Sequence, residues 1–249
     1  MRLRALVAAV AAVALVLAAV ALAGGSRART TPRLTVFAAA SLGNVFPRID
    51  PHGRYSFGGS NMLAAQIQQG LPADVFASAN TKLPAQLHRL GLLTEPLVFT
   101  SNRLVIVVAH GNPRGVRGVR DLERSGLRIV MAAAGVPVGD YTRTVLARLG
   151  LSDLVGKAVS QETDVREVLA KVTLGEADAG FVYATDAKTV AEKVSVVRIA
   201  PSAQPRVAYA AAAVKSSKHL AAAKAWVKAL RGKAAQKKFR AAGFLPIPR

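Results

Sequence analysis

Residues 34–42 read Leu-Thr-Val-Phe-Ala-Ala-Ala-Ser-Leu, and residues 57–60 read Phe-Gly-Gly-Ser. In each stretch a serine follows apolar or aromatic residues, which is typical of a buried strand followed by a helix. Serine is common at the first position of a helix, where its side chain caps a free backbone N–H group. The two stretches therefore predict two strand-to-helix turns, with Ser41 and Ser60 as the caps.

The same alternation of strands and helices continues along the chain. Further strands are predicted at residues 74–77, 104–108, 128–131, 180–182 and 208–214, and helices at residues 139–149, 165–174 and 220–230. This order predicts an α/β fold in which parallel-rich sheets are flanked by helices. Because two such halves of about a hundred residues each follow one another, we expect two lobes.

The composition excludes several kinds of site. The 249-residue chain has no cysteine, so disulfides, thiolate metal sites and a cysteine nucleophile are excluded. A formal net charge of +20 can attract nucleic acid or small anions. No alternation of aromatic and basic residues accompanies this charge, so we expect no nucleic-acid partner and interpret it as a solvated surface. Its positive field would also draw in small anions.

The first residues are typical of an exported protein. Arg2 and Arg4 precede an apolar run over residues 5–23, which ends in a small-x-small cleavage pattern. We interpret residues 1–23 as a signal peptide, with an uncleaved membrane anchor as the alternative, and residues 24–33 as a linker. The predicted location is the periplasm or the outer face of the cytoplasmic membrane.

Helix starts at the ends of strands indicate where a ligand would bind. Open parallel sheets hold ligands beyond the carboxyl ends of their strands, and a helix start offers free N–H groups and roughly half a positive charge. Four starts are predicted, at Ser41, Ser60, Val138-Gly139 and Asp164-Val165, with Asp164 as a helix cap. Donors without acceptors suit a fully ionised anion. On the residues alone, an anion site and serines that only cap their helices both stay open.

Seven short motifs occur in a characteristic order. They are LTVFAAASL (34–42), FGGS (57–60) with LA and QI after it, PADVF (72–76), SNRLV (101–105), VPVGDY (136–141), DVR (164–166), and GFVY (180–183) with DA at 186–187. On these motifs, residues 34–249 resemble the molybdate-binding proteins of bacterial ABC importers.

The resemblance implies a specific set of ligands. The anion would be held by the hydroxyl groups of Ser41, Ser60 and Tyr183 and by the backbone N–H groups of Val138 and Val165. The ligand would be molybdate or tungstate, with molybdenum bound only as the oxyanion through these residues. No direct metal ligand, catalytic residue or cofactor is implied.

The resemblance also implies an architecture and a role. The fold would be a two-lobed, periplasmic-binding-protein-like fold of type II with a two-crossover hinge. Lobe 1 would comprise residues 34–101 and 206–249, and lobe 2 residues 102–205. We expect a monomeric solute-binding protein, not an enzyme, which delivers its oxyanion to the membrane permease of an ABC importer.

The chain departs from the family pattern at two places. Gly25 occupies the position of the cysteine that is lipidated in a lipoprotein leader, so the chain cannot be lipidated there. The segment between Ser41 and Ser60 is shorter than is usual, and Pro47 predicts a truncated first helix.

Three other functions are alternatives. The ligand could be another tetrahedral oxyanion such as sulfate. A hydrolase could use Ser41 as its nucleophile, although the residues around it lack the Gly-x-Ser-x-Gly pattern. Capture of Fe³⁺ would require clustered tyrosines and carboxylates, and the four tyrosines are scattered along the sequence.

Overall fold

A computed structural model describes residues 32–248 of the chain. Within this range ten strands form two five-stranded sheets. The strands are β1 (Thr35–Ala39), β2 (Arg54–Gly58), β3 (Val75–Ser78), β4 (Leu97–Asn102), β5 (Leu104–Ala109), β6 (Ile129–Ala132), β7 (Ala158–Glu162), β8 (Ala179–Tyr183), β9 (Val194–Arg198) and β10 (Val207–Ala213). The predicted leader, residues 1–23, and nearly all of the predicted linker, 24–33, lie outside the described residues.

Each sheet contains one strand that opposes the other four. In the first sheet, of order β2-β1-β3-β10-β4, β1 pairs in parallel with β2 and β3, whereas β10 is antiparallel to β3 and β4. In the second sheet, of order β7-β6-β8-β5-β9, the opposing strand is β5. The predicted α/β class with parallel-rich sheets is confirmed. The opposing strands were not predicted, because a strand buried on both faces has the same apolar pattern in either direction.

Most of the helices follow strands of the parallel sets, whereas the last two come after the opposing strand β10. Those in the described residues are α1 (Phe46–Ile49), α2 (Ser60–Gln68), α3 (Lys82–Arg89), α4 (Pro137–Arg148), α5 (Val165–Thr173), α6 (Ala184–Lys188), α7 (Leu220–Ala229) and α8 (Lys233–Ala242), with 3₁₀ turns at Ala40–Leu42, Val119–Glu123 and Ser152–Val155. None of them is long and apolar enough to cross a membrane.

Strands β1, β3 and β10 of the first sheet are buried on both faces, because the apolar side chains that alternate along them point to opposite sides. Phe37 of β1 and Phe76 of β3 pack with Leu63 and Ile67 of α2. Their neighbours Val36 and Val75 face the other way, into the main core.

The chain passes between the two sheets twice. β4 of the first sheet ends at Asn102 and β5 of the second begins at Leu104, so a single residue, Arg103, separates them. The return runs from the end of β9 at Arg198 to the start of β10 at Val207. Residues 33–248 pack as one compact unit. The lobe boundaries given above stay a prediction.

Two serines were wrongly predicted to be helix caps. Ser41 lies inside the 3₁₀ turn that follows β1, and Ser60 is the first residue of α2, whose cap position is occupied by Gly59. Neither serine hydroxyl bonds to the first turn of its own helix. Both hydroxyl groups instead bond to residues of other segments, as described below.

The shortened segment after Ser41 forms a 3₁₀ turn and then one turn of α-helix, α1, with Pro47 in its first turn. It is anchored by Phe46, which is fully buried against the rings of Tyr55, Phe99 and Trp226. Aromatic packing thus holds this short helix in place behind Ser41.

Candidate functional site

The five residues predicted as ligands line one small pocket between the two sheets. Ser41, Ser60, Val138, Val165 and Tyr183 all contribute to its walls, together with Ala39, Ala40, Ala79, Val136, Pro137 and Asp164. Each of the five lies at or just beyond the carboxyl end of a strand, where α/β sheets bind ligands. The centre of a water-sized sphere can occupy only about 10 Å³ of this pocket, so the site is narrow.

The Ser60 side chain is positioned to donate into this pocket. It is buried, and its Oγ accepts a hydrogen bond of 3.2 Å from the N–H of Ala79, which follows β3. A serine hydroxyl has one hydrogen to donate and can accept as well. Since Oγ is already an acceptor for the protein, its own O–H remains available to an anion.

The Ser41 side chain belongs to a buried chain of hydrogen bonds. Its Oγ lies 2.9 Å from the hydroxyl of Tyr209 on β10, and the amide of Asn102 donates to that same hydroxyl over 3.4 Å. The side-chain nitrogen of Asn102 can only donate, and the Ser41–Tyr209 bond can run in either direction; when Tyr209 donates to Ser41, the Ser41 O–H is directed away from Tyr209. In this arrangement Ser41 donates into the pocket.

Two backbone N–H groups complete the donors on the second-sheet side. Val138 lies in the first turn of α4 and Val165 in the first turn of α5, where the helix itself supplies no acceptor. Gly139 lets α4 begin close to the end of β6, because a Cβ at this position would lie 2.2 Å from the carbonyl oxygen of Ala133. A side chain at 139 would therefore displace the N–H of Val138.

Asp164 is a helix cap, as predicted. Its carboxylate accepts from the N–H groups of Arg166 at 2.7 Å and Glu167 at 3.2 Å. These bonds occupy the next two N–H groups of α5 and leave that of Val165 to the pocket. Burial raises the pKa of Asp164. A negative ligand nearby would raise it further.

The hydroxyl of Tyr183 is buried without a partner. Tyr183 is 1% exposed, and its hydroxyl makes no hydrogen bond to any residue the structure describes. Burial raises the pKa of Tyr183 well above its ordinary value, so the hydroxyl keeps its proton. An unpaired buried donor costs free energy, which a ligand that accepts its hydrogen bond would recover.

Three tyrosines that are distant in sequence meet behind the pocket. The ring of Tyr183 lies 6.5 Å from that of Tyr141 and 5.8 Å from that of Tyr209. A ferric site would use them as phenolates, but burial raises the pKa of all three, that of Tyr141 to about 12. No group of three or more His, Cys, Asp or Glu within residues 32–248 is placed to hold a metal ion. The cluster therefore supplies neutral hydroxyl groups.

Sequence reasoning missed two supporting residues, Asn102 and Tyr209. Tyr209 contacts Ser41 across 168 positions of sequence, which no local pattern can indicate. The one available signal was a single tyrosine in the otherwise aliphatic strand β10.

Taken together, the pocket offers three hydroxyl and two backbone donors, and none of its described lining residues is Lys, Arg or His. Such a set favours an anion with no proton of its own, because a protonated oxygen would bring a donor to face donors.

Comparison with known proteins places the chain in a family. A family model of bacterial extracellular solute-binding proteins matches residues 34–245. The chain is 38% identical over 221 residues to the molybdate-binding protein ModA of Mycobacterium bovis, covering 85% of this chain and 84% of that protein.

Two solved structures resemble the fold equally well. The periplasmic molybdate-binding protein of Azotobacter vinelandii has a TM-score of 0.75 at 23% identity, over 87% of this chain and 100% of that one. The sulfate-binding protein SubI of Mycobacterium tuberculosis also has a TM-score of 0.75, at 21% identity and over 87% of each chain. The fold alone therefore does not separate the two oxyanions.

Proposed function

The chain belongs to the bacterial extracellular solute-binding proteins, and on that premise we propose that it captures molybdate between two lobes and delivers it to the permease of an ABC importer. The relative from Mycobacterium bovis, which is named a molybdate-binding protein, supports this ligand. Tungstate, which has the same shape and charge, is the expected second ligand.

One observation carries the proposal: five neutral donors converge on one pocket. Ser41, Ser60 and Tyr183 bring hydroxyl groups, and Val138 and Val165 bring N–H groups at helix starts. Such donors neutralise an oxyanion by hydrogen bonds and helix dipoles, without a formal cation. Their number suits four oxygens, each of which accepts one or two bonds.

We propose that the site opens and closes by movement of two lobes, one built on each sheet. We propose that the first sheet belongs to a lobe of residues 34–101 and 206–249, and the second to a lobe of residues 102–205. Ser41 and Ser60 would then lie on one lobe and the other three ligands on the second. Arg103 and the segment 199–206 would act as the hinge, and closure would bury the anion.

The remaining parts of the proposal follow from this role. We propose that the protein acts outside the cytoplasm as a monomer, needs no cofactor and catalyses no reaction. A hydrolase reading of Ser41 requires a base, but the partner of its Oγ is Tyr209, whose pKa is raised by burial. Ser41 is therefore better suited to donate a hydrogen bond than to attack a substrate.

Thermal unfolding with a panel of anions tests the proposal. Molybdate at about a hundredfold over its dissociation constant should add roughly 2.7 kcal/mol of stability. For a chain of this size that raises Tm by about 5–10 °C. Sulfate and phosphate at the same concentration are the controls. A shift with sulfate and none with molybdate would reassign the ligand and keep the solute-binding role, whereas no shift with any oxyanion would refute the proposed function.

A further inference from the structure

The side chain of Arg166 reaches from the second-sheet side of the pocket to the first-sheet side. Arg166 is the second residue of α5, which follows β7 of the second sheet. Its Nε donates to the carbonyl oxygen of Ala40 over 2.9 Å, and its Nη2 donates to Oδ1 of Asn44 over 2.9 Å. Ala40 and Asn44 both belong to the short segment that follows β1 of the first sheet.

These two bonds connect the chain segments that carry the proposed anion-binding residues. Arg166 is the immediate neighbour of Val165, and Ala40 is the immediate neighbour of Ser41. A bond from Arg166 to the Ala40 carbonyl therefore fixes the distance between a donor of one side and a donor of the other. Asn44 lies three residues after Ser41, so the second bond also holds the segment that carries Ser41 against Arg166.

The two sides also touch at a second place beside the pocket. A Cβ on Gly59, just before α2, would lie 2.3 Å from the carbonyl oxygen of Thr163, two residues before α5. The backbones of the two sides are therefore in direct contact here, so the Arg166 hydrogen bonds are not the sole contact across the pocket. Both contacts must break when the sides separate.

Arginine is suited to this contact. Its planar guanidinium stays charged and can donate from two nitrogens to two acceptors in fixed directions. Both acceptors are neutral oxygens, so no opposite charge has to be removed from water when the contact forms. Lysine in the same place keeps the charge but cannot donate from two nitrogens in fixed directions.

We propose that Arg166 is a positioning residue that holds the closed form, by binding Ala40 and Asn44 across the cleft, and so slows release of the oxyanion. This inference rests on the proposed function. Because the bonds form only once the sides have met, they stabilise the closed, loaded state and contribute nothing to the first encounter. The dissociation rate is therefore the quantity that Arg166 controls.

The test is a stopped-flow measurement of molybdate binding and release by the full chain. Arg166→Gln should speed release by roughly 10- to 100-fold, the scale of losing charge-assisted hydrogen bonds, and leave the association rate within about twofold. Arg166→Lys should recover only part of the loss. Asn44→Ala removes one exposed partner without touching the core and should give an intermediate rate.

Arg128→Gln is the matched control. The Arg128 guanidinium donates to Asp178 and to the Gly175 carbonyl, all within the second-sheet side. It should leave the release rate unchanged. A wild-type release rate in both Arg166→Gln and Asn44→Ala would overturn the inference, as would a slower association with unchanged release. Failure of the wild-type chain to bind molybdate would instead refute the proposed function.

Discussion

Tyr183→Phe is expected to make the unliganded protein more stable and to weaken its binding of molybdate. The substitution removes one oxygen atom and keeps the ring, which packs against Tyr141 and Tyr209. That oxygen is buried and has no hydrogen-bond partner among the described residues. An unpaired buried polar group costs about 1–3 kcal/mol, so its removal should raise the free energy of unfolding by roughly 1 kcal/mol or more.

Binding should change in the opposite direction. A hydrogen bond to a charged acceptor contributes about 1.5–3 kcal/mol. Its loss should raise the dissociation constant for molybdate roughly 10- to 150-fold. Stability and affinity thus separate in a single variant, as expected when the surrounding fold maintains a hydroxyl for its ligand.

The assay pairs urea unfolding of the unliganded chain with calorimetric titration of molybdate. Tyr209→Phe is the matched control, because its hydroxyl is also buried but has Ser41 and Asn102 as partners. It should lower the free energy of unfolding by about 0.5–1.5 kcal/mol. If Tyr183→Phe destabilised the unliganded chain as much as Tyr209→Phe and left molybdate affinity unchanged, the assigned role of Tyr183 would be refuted.

Two further predictions concern closure and pH. Gly59→Ala should weaken molybdate binding at least tenfold in calorimetric titrations, because its Cβ would lie 2.3 Å from the Thr163 carbonyl oxygen. Gly58→Ala is the control, since its Cβ would meet nothing within 4 Å, and it should bind molybdate normally. Equal affinities of the two variants would contradict the proposed closure. Burial raises the pKa of Asp186 from 3.8 to about 7, a difference of about 3 that corresponds to roughly 4 kcal/mol at most. Since the folded-state pKa is the higher one, this contribution to stability is complete below pH 4 and is lost as the pH rises through 7. Asp186→Asn should flatten the pH dependence of unfolding between pH 4 and 8, and an unchanged dependence would show that Asp186 does not cause it.

The sequence was sufficient for the parts of the fold that local patterns determine. The apolar run that becomes β1 and the cap at Asp164 follow from side chains within a few residues of one another. Edge strands such as β7 and β9 were missed, because they are half exposed and mix polar with apolar residues. The reversed direction of β10 escaped prediction for the opposite reason, since all of its residues are buried.

At the site, the family resemblance implied which residues meet, whereas the interpretation of two of them as helix caps was wrong. Ser41 and Ser60 were expected to cap helices, yet their partners are Tyr209 and the N–H of Ala79. In both cases the partner lies on, or directly after, a strand two places away in the same sheet, which no local pattern along the chain can indicate. Arg166 stands in a motif that the sequence displayed, but its contact with Asn44 depends on how the two sides face each other. Pairings across the cleft are set by packing, which a single sequence does not encode locally.

The most direct test of the account is calorimetric titration of molybdate into the wild-type chain and into the Ser41→Ala, Ser60→Ala double variant. The account predicts one molybdate per wild-type chain and no measurable binding by the double variant, with the unliganded fold retained by circular dichroism. A double variant that binds molybdate as tightly as the wild type would contradict the assigned site.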